Sequence, residues 1–364
     1  MSLLSLPRRL AFALAVCFFM APAFAQPAGA HADNFLYRVI SGDTLIDLAQ
    51  KFTDNPANWT TLQALNSVQD PTRLVIGSEL KIPFSLIPEL PSQAHVSHSA
   101  GQVSANGNPL KETALLVEGD TITTGSAGFL TMILADGSVL SVPAASSLLI
   151  QRLRVFKGTG LTDTVFTMSN GSLESSVAPQ DTGVGRFEIR TPVSITGVRG
   201  TRLRVRTSSG GSQSEVLSGN AQLSSGHNAS ARLHRDQGAA VNAHGKLLGV
   251  RPLLPAPALP PPERGGQGWN IAFPPVPGAV SYLVRVAAND TGSDLVSSHK
   301  FSSPEITFSA PGAGTYYVVV RAVDADGVMG KDAVQSFPGR SLLKTSDGLA
   351  VLGGQGQFVL LTEY

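Results

Sequence analysis

The amino-acid sequence predicts a mainly β, multi-domain protein. Three observations support this prediction: short runs in which apolar and polar residues alternate, turn residues at regular intervals, and a composition rich in glycine and proline. The chain has 364 residues, of which 37 are Gly, 24 are Pro and only 15% are charged. This length allows two or three domains of ordinary size. Apolar residues at helical spacing are concentrated in one short N-terminal region.

Residues 1–25 have the pattern of a secretory signal peptide. Two arginines precede an apolar run that ends in Ala23-Phe24-Ala25, a small-x-small cleavage pattern. The apolar run is shorter than the roughly 20 residues that span a bilayer, so we expect no membrane span in the mature chain. Secretion across the inner membrane into the periplasm or cell envelope is therefore expected. A retained membrane anchor and a lipid-modified Cys17 are the alternatives.

The composition of the mature chain excludes several classes of function. Cys17 is the only cysteine and lies in the leader, so disulfides, thiolate metal sites and cysteine nucleophiles are excluded after cleavage. Without the two leader arginines, 25 basic residues stand against 26 acidic ones. This balance does not favour nucleic acid or a charged membrane surface. The sequence has no His-Glu-x-x-His or Gly-x-Ser-x-Gly motif. We therefore expect no enzyme, no metal and no cofactor, with a cell-wall hydrolase as the alternative.

Residues 35–84 predict a compact unit with the order strand, helix, helix, strand. After an alternating start, apolar residues repeat at helical spacing: Leu45, Leu48, Ala49 and Phe52. Thr44, with Asp47 three residues later, predicts a capping box at the start of this helix. A second short helix is predicted over residues 58–65 and a closing strand over residues 79–82.

The segments YRVISGDTLIDLAQKF, NPANWTTLQALN and LVIGSELKIP together resemble a lysin motif (LysM) domain over its whole length. LysM domains bind polymers that contain N-acetylglucosamine, such as peptidoglycan or chitin. They do so in a shallow groove between the first strand-to-helix loop and the loop before the second strand. The resemblance implies a glycan-binding groove formed by Gly42, Asp43, Thr44, Leu45, Val75, Ile76 and Gly77. Many members have proline where this chain has Ile76.

The residues of this groove also suit a sugar on physical grounds. An N-acetyl sugar offers hydroxyls, an amide and an apolar methyl group. Gly42 and Gly77 would let the backbone approach such a ligand closely, while Leu45 or Ile76 would contact the methyl group. The alternative is that the same residues only form the turn and cap the helix.

Residues 85–99, LIPELPSQAHVSHSA, are interpreted as a linker, and residues 100–254 as an all-β domain. In the β region, GFLTMILADGSVLSVP alternates on both sides of Asp136-Gly137, which predicts a hairpin. Further alternating segments follow, separated by turn residues. A sandwich, a barrel and a solenoid-like unit are all compatible with this pattern.

The segments TTGSAGFLTMILADGSVLSV and FEIRTPVSITGVRGTRLRV resemble the FecR domain. FecR proteins are envelope-spanning regulators that relay iron-siderophore signals to a sigma factor. The cytoplasmic helical part and the membrane helix of that family have no counterpart in this sequence. The resemblance therefore implies only the extracytoplasmic β-domain.

Three arginines, Arg202, Arg204 and Arg206, alternate along one predicted strand. Their guanidinium groups are therefore expected on one face, about 6–7 Å apart. We interpret them as a candidate strip for an acidic polymer or an anionic partner. The alternative is a solvated strand face paired with Glu188, Glu215 or their neighbours.

The C-terminal part begins after a Pro-rich linker over residues 255–267, which predicts a stiff, extended spacer. Residues 268–338, with GWNIAFPPVPGAVSYLVRVA and ITFSAPGAGTYYVVVRAVDADGVMG, resemble a fibronectin type III sandwich. Asp324 and Asp326 favour a hairpin turn over a calcium site, since further acidic ligands are missing downstream. Residues 339–364 are a C-terminal tail without a clear assignment.

These features together predict a non-catalytic, exported protein that binds peptidoglycan or a related N-acetylglucosamine polymer and tethers its β-domains to the cell wall. The alternative is an envelope sensory or scaffold protein. In that case the FecR-type domain binds an envelope protein partner, and LysM serves only for localisation.

Overall fold

A computed structural model describes residues 27–361 except residues 112, 178–183, 227–228, 266–267, 310–311, 340, 343–344, 346–348, 350 and 357–358. The expected signal peptide, residues 1–25, lies outside the described residues. As predicted, the described fold is mainly β, with α-helices only near the N-terminus. We divide it into the N-terminal unit (residues 27–86), the central sheet (residues 89–252) and the C-terminal sandwich (residues 263–338).

The N-terminal unit packs two helices against a small antiparallel sheet. Its strands, in the order β1-β2-β3, and its helices are β1 Pro27–His31, β2 Asn34–Arg38, α1 Leu45–Thr53, α2 Trp59–Asn66 and β3 Glu79–Pro83. The predicted apolar stripe of α1 lies in the core beside Phe35, Tyr37 and Ile82. In α2 only Leu62 is fully buried, whereas Leu65, expected on the same face, is 41% exposed.

The central sheet is a single continuous sheet of sixteen strands. They are β4 Glu89–Pro91, β5 Gln93–Ala100, β6 Val103–Ala105, β7 Asn108–Pro109, β8 Leu115–Val117, β9 Thr121–Thr124, β10 Phe129–Leu134, β11 Val139–Val142, β12 Ser147–Phe156, β13 Thr162–Ser176, β14 Val184–Arg190, β15 Ser194–Ser208, β16 Gly211–Ser225, β17 Ser230–His234, β18 Gln237–Asn242 and β19 Leu247–Pro252. The main path runs β19-β18-β16-β15-β14-β13-β11-β10-β5-β8. Its buried faces enclose one apolar core.

The predicted hairpin at Asp136-Gly137 is confirmed. Strands β10 and β11 pair antiparallel, with Ile133 opposite Val139. The Asp136 carboxylate accepts a 2.9 Å hydrogen bond from the Ser138 backbone N–H, and Gly137 has a φ of +82°. A positive φ of this kind favours glycine, which explains the Asp-Gly sequence.

The interpretation of residues 85–99 as a linker is wrong, because most of this segment is part of the central sheet. β4 pairs with β12, and β5 lies between β10 and β8. Along β5, Ala94 and Val96 are buried while His95 and Ser97 are exposed. This is the period-two pattern of a strand. The strand pattern was not recognised in the sequence because most residues of β5 are small or polar and only two small apolar side chains are buried.

The N-terminal unit is docked on the hairpin formed by β12 and β13. Phe156 and Leu161 of this hairpin belong to the same apolar core as Phe52 of α1. The Phe156 ring lies 4.5 Å from that of Phe84, and the Lys157 ammonium lies 2.6 Å from a carboxylate oxygen of Asp54. The unit is therefore packed on the sheet rather than joined to it by an independent spacer.

The C-terminal sandwich has two antiparallel sheets around an aromatic core. The sheets have the orders β20-β21-β24 and β23-β22-β25-β26. Trp269, Tyr282 and Phe337 are buried between them. The strands are β20 Glu263–Gly265, β21 Gly268–Ala272, β22 Ser281–Ala287, β23 Leu295–Phe301, β24 Glu305–Phe308, β25 Thr315–Val323 and β26 Met329–Pro338. Farther on, β27 Ser341–Leu342 pairs with β28 Leu360–Leu361.

The Pro-rich segment before the sandwich has no helix or strand over residues 253–262. It is not free of the sandwich, since Leu254 and Leu259 pack against its core. The Asp324–Asp326 sequence forms the turn between β25 and β26. There the Gly327 backbone N–H donates to the Asp324 carbonyl oxygen at 3.0 Å.

Candidate glycan-binding groove

The first loop of the predicted groove connects β2 to α1. Its turn is closed by Asp43, whose carboxylate accepts from the Ile40 backbone N–H at 2.8 Å. Gly42 is exposed, has a φ of +93° and has open space on the side where a Cβ would lie. A ligand can therefore reach the backbone here without meeting a side chain.

Of the predicted capping box, the Thr44 N-cap of α1 is confirmed, while the Asp47 carboxylate accepts from the Thr44 hydroxyl. Thr44 accepts from the Asp47 backbone N–H at 3.2 Å, and its hydroxyl donates to the Asp47 carboxylate at 2.7 Å. Leu45, in contrast, has no exposed surface. Its side chain cannot meet an acetyl methyl group, because the amphipathic helix directs it into the core. The proposed contact of Leu45 with a ligand methyl is therefore wrong.

The second loop presents two apolar side chains to solvent. Val75 is 74% exposed and Ile76 is 66% exposed, the highest values among the large apolar residues of the N-terminal unit. Gly77 follows with a φ of +83°. An exposed apolar pair beside accessible backbone is the combination that an N-acetyl group requires, with its methyl, amide N–H and carbonyl.

Backbone hydrogen bonds fix the two loops beside each other. The Gly77 backbone N–H donates to the Val39 carbonyl at 2.8 Å, and the Val39 N–H donates to the Ser78 carbonyl at 2.9 Å. The Leu45 N–H donates to the Pro71 carbonyl at 2.9 Å. Pro71 was not predicted from the sequence as a contributor, although an Asp-Pro pair such as Asp70-Pro71 favours a turn.

The electrostatics of the groove are mild. Burial, together with the neighbouring Asp43 carboxylate, raises the pKa of Tyr37 to about 12, so this phenol stays neutral at physiological pH. Arg38 and Glu79 flank the loops as an exposed pair at 3.6 Å. Such a surface pair contributes little energy. The groove therefore offers polar backbone and apolar contact rather than strong charge.

The groove lies at the end of the N-terminal unit that points away from the central sheet. In the β2–β3 register Arg38 is opposite Glu79 at the groove end, and Asn34 is opposite Pro83 at the other end. The junction with the central sheet follows directly after Pro83, through Phe84. A polymer can therefore enter the groove without meeting the docking hairpin.

The arginine strip predicted for an anionic partner is not a free surface. Arg204 has a side chain only 1% exposed, and it lies between β15 and the C-terminal sandwich. Its guanidinium donates to the Gly330 carbonyl at 2.6 Å and to the Asp332 carboxylate at 3.2 Å. Arg206 donates to the Gly327 carbonyl, whereas Arg202 remains half exposed. The anionic groups that face the strip thus come from the same chain.

A buried charge network connects the central sheet with the C-terminal sandwich, and most of its ion pairs were not predicted from the sequence. A Glu174 carboxylate oxygen lies 2.6 Å from both Arg285 and Arg321. Arg321 also contacts Asp332 at 2.6 Å. Glu174 is opposite Arg204 on the central sheet, and Arg321 is opposite Leu283, two residues from Arg285, on the sandwich sheet. Each sheet therefore turns a charged face toward the other. Only the pairing with Glu215 was among the predicted alternatives.

The ionisation of this network follows from burial and pairing. Burial opposes the ionised form of Glu174, but Arg285 and Arg321 outweigh it and lower its pKa. Burial also opposes the ionised form of Asp332, but Arg321 and Arg204 outweigh it and lower the pKa of Asp332. Glu215 is the exception, because burial prevails and raises its pKa. Its carboxylate accepts from the Met329 backbone N–H at 2.9 Å.

In the described part of the chain, no three His, Cys, Asp or Glu side chains are grouped so that they could hold a metal ion. No described helix is long and apolar enough to cross a membrane.

Comparison with known families identifies two binding or regulatory modules of the cell envelope. The family model LysM domain matches residues 37–83, and the family model FecR protein matches residues 120–222. The LysM match includes both loops of the candidate groove, and the FecR match includes the strands β9 to β15. Both are non-catalytic kinds of module. No curated protein matches the chain.

Solved structures add only distant similarity. Two crystal structures of a candidate anti-sigma factor from Parabacteroides distasonis have 18% identity and a TM-score of 0.30, covering 36% of this chain and 59% of that protein. The extracellular domain of a hybrid two-component system from B. thetaiotaomicron has 8% identity and a TM-score of 0.17. It covers 67% of this chain and 49% of that one. Scores of this size do not establish a shared fold.

Proposed function

We propose that this protein is a non-catalytic, exported protein that binds peptidoglycan or a related N-acetylglucosamine polymer and tethers its β-domains to the cell wall. The observation that carries the proposal is the exposed pair Val75–Ile76, held beside the open Gly42 turn within a LysM domain. The groove residues are Gly42, Asp43 and Thr44 with Val75, Ile76 and Gly77, and Leu45 contributes only its backbone. Residues 1–25 act as the signal for export.

The C-terminal sandwich completes the proposed architecture as a fibronectin type III-like domain. Its sheets of three and four strands, with the orders β20-β21-β24 and β23-β22-β25-β26, support this assignment. In this proposal the docked sandwich and the FecR domain form one rigid body, and the LysM domain holds that body at the wall.

Co-sedimentation with purified peptidoglycan sacculi tests the tethering function. We expect the wild-type protein to pellet with sacculi, and the double variant Val75→Ser/Ile76→Ser to remain in the supernatant. Both side chains are largely exposed, so the variant should keep its fold and its thermal unfolding midpoint.

A matched control is Leu349→Ser/Leu352→Ser, which removes two similarly exposed apolar side chains elsewhere on the chain. This control should pellet like the wild type. Sedimentation of all three proteins to the same extent would show that the Val75–Ile76 loop is not the glycan contact. If the wild-type protein remains in the supernatant in the presence of sacculi, the tethering function is refuted.

The second candidate function is an envelope sensory or scaffold role, in which the FecR domain binds a protein partner and LysM only localises the chain. The match of residues 120–222 to the FecR family favours it. In-cell cross-linking distinguishes the candidates. A specific cross-linked partner that is retained by Val75→Ser/Ile76→Ser supports the sensory role, whereas cross-links that vanish with wall binding support tethering.

A further inference from the structure

A cleft of about 260 Å³ lies where the central sheet meets the C-terminal sandwich, and its charged lining is basic. Arg206 enters it from β15, while Arg285 and Lys300 enter it from β22 and β23. In the β22–β23 register Arg285 is opposite Ser298, and Lys300 lies two residues farther along the same face. None of the described residues that line the cleft is Asp or Glu.

Arg285 has an unused donor at this cleft. Its side chain is only 4% exposed, and one terminal nitrogen lies 2.6 Å from the Glu174 carboxylate. The Nε–H is buried and has no acceptor within hydrogen-bond distance among the described residues. Buried donors are nearly always satisfied, and Arg285 belongs to the lining of the cleft, so an acceptor bound there is the partner that we expect for this donor.

The charges around the cleft do not balance. Among the described residues, the buried charge network and the cleft lining together contain five basic side chains: Arg204, Arg206, Arg285, Arg321 and Lys300. Against them stand three carboxylates: Glu174, Glu215 and Asp332. Burial raises the pKa of Glu215, which weakens the negative side further. An anion in the cleft would offset this excess of positive charge, to which the exposed Lys300 and the partly buried Arg206 contribute.

We propose that this cleft binds a small oxyanion of the phosphate or sulfate type, either free or as the end group of a larger molecule. Arg285 donates from the interior, Lys300 and Arg206 supply charge from the two sides, and the Ser298 hydroxyl is a neutral donor. Guanidinium groups suit such anions because their N–H groups match the spacing of the oxygens. The site is independent of the glycan-binding groove, which lies at the far end of the N-terminal unit.

Isothermal titration of inorganic phosphate into the full-length protein tests the proposal, at fixed ionic strength and pH. We expect one phosphate per chain, and binding roughly tenfold weaker in Lys300→Gln, because a charged hydrogen bond is lost. Ser298→Ala should weaken binding less. Lys246→Gln is the matched control, since Lys246 is also exposed but lies in the turn between β18 and β19. It should bind like the wild type.

Two results would overturn the proposal. One is no binding heat at millimolar phosphate, and the other is an equal loss of affinity in Lys300→Gln and Lys246→Gln, which would indicate general charge attraction. Equal unfolding temperatures of the wild type and the three variants without phosphate would show that the substitutions do not change folding. Glycerol phosphate as a second probe separates the sources. Tighter binding than inorganic phosphate assigns the cleft to an end group, and weaker binding assigns it to the free ion.

Discussion

The candidate groove and the interface between the central sheet and the C-terminal sandwich both depart from the usual pattern of apolar residues inside and charged residues outside. In the groove loops, Val75 and Ile76 are apolar and exposed. At the interface, Arg204, Arg321 and Glu174 are charged and largely buried. Apolar loops left in solvent are available to an outside ligand. Charges taken out of solvent are instead committed to partners within the chain.

The two regions should also differ in how much a substitution changes the free energy of unfolding. Replacing an exposed loop residue removes little from the folded state, so the groove can change its ligand without changing stability. A buried ion pair pays a large desolvation cost, and its loss leaves the other charge stranded. We therefore expect variants of the groove to affect binding and variants of the interface to affect stability.

The largest effect is expected from Glu174→Ala, which would break the buried interface. This change leaves Arg285 and Arg321 without their shared carboxylate, so the free energy of unfolding should fall by about 3–5 kcal/mol. Urea unfolding followed by circular dichroism measures it. Arg251→Ala is the control, because Arg251 contacts Asp324 and Asp326 at the rim. Arg251→Ala should lower the free energy of unfolding by about 1 kcal/mol or less. Similar losses in both variants would contradict the comparison.

Acid should weaken the interface as well. The lowered pKa values of Glu174 and Asp332 mean that their ionised forms stabilise the folded state. This contribution is complete above the unfolded pKa of about 4 and is lost as the pH falls through the folded values, by up to about 1.4 kcal/mol per pH unit for each group. Glu215 acts in the opposite sense, because its raised pKa lets the folded state take up a proton first.

Unfolding at pH 6, 4, 3 and 2 tests this expectation. The free energy of unfolding should decline most steeply below pH 4 in the wild type and less steeply in Glu174→Gln, which cannot titrate at that position. Identical pH profiles for the two proteins would show that Glu174 is not linked to folding in this way.

The smallest effect is expected at the groove, from Thr44→Ala. Loss of the cap of α1 should reduce stability by about 1 kcal/mol. Thr61→Ala, on the exposed side of α2, should change it by at most about 0.5 kcal/mol. Sacculus binding sharpens the result. If Thr44→Ala stays folded but no longer pellets, Thr44 contacts the glycan as well as capping the helix. If Thr44→Ala pellets with sacculi like the wild type, Thr44 caps α1 but does not contact the glycan.

The features predicted well from the sequence are those that depend on neighbours along the chain. The Thr44 cap of α1 and the Asp136-Gly137 hairpin rest on hydrogen bonds and dihedral angles within a few residues, so the residues themselves specify them. The buried stripe of α1 follows from helical spacing in the same way.

The features predicted poorly depend on what packs against them. Ala94 and Val96 of β5 are too small to mark a strand, and β5 exists because β10 and β8 lie on either side of it. Leu45 is a different case, since the LysM resemblance implied a ligand contact while its place in the apolar stripe of α1 directs its side chain into the core.

By itself the sequence determined the local elements, the LysM and FecR resemblances and the residues of the two groove loops, because turns, caps and periodicities are set by nearby residues. Only the tertiary structure decided that Arg204 and Arg206 face Asp332 and Gly327 of the same chain rather than an outside partner. Alternation places arginines on one face of a strand. Which surface covers that face depends on sheet packing between residues more than 100 positions apart.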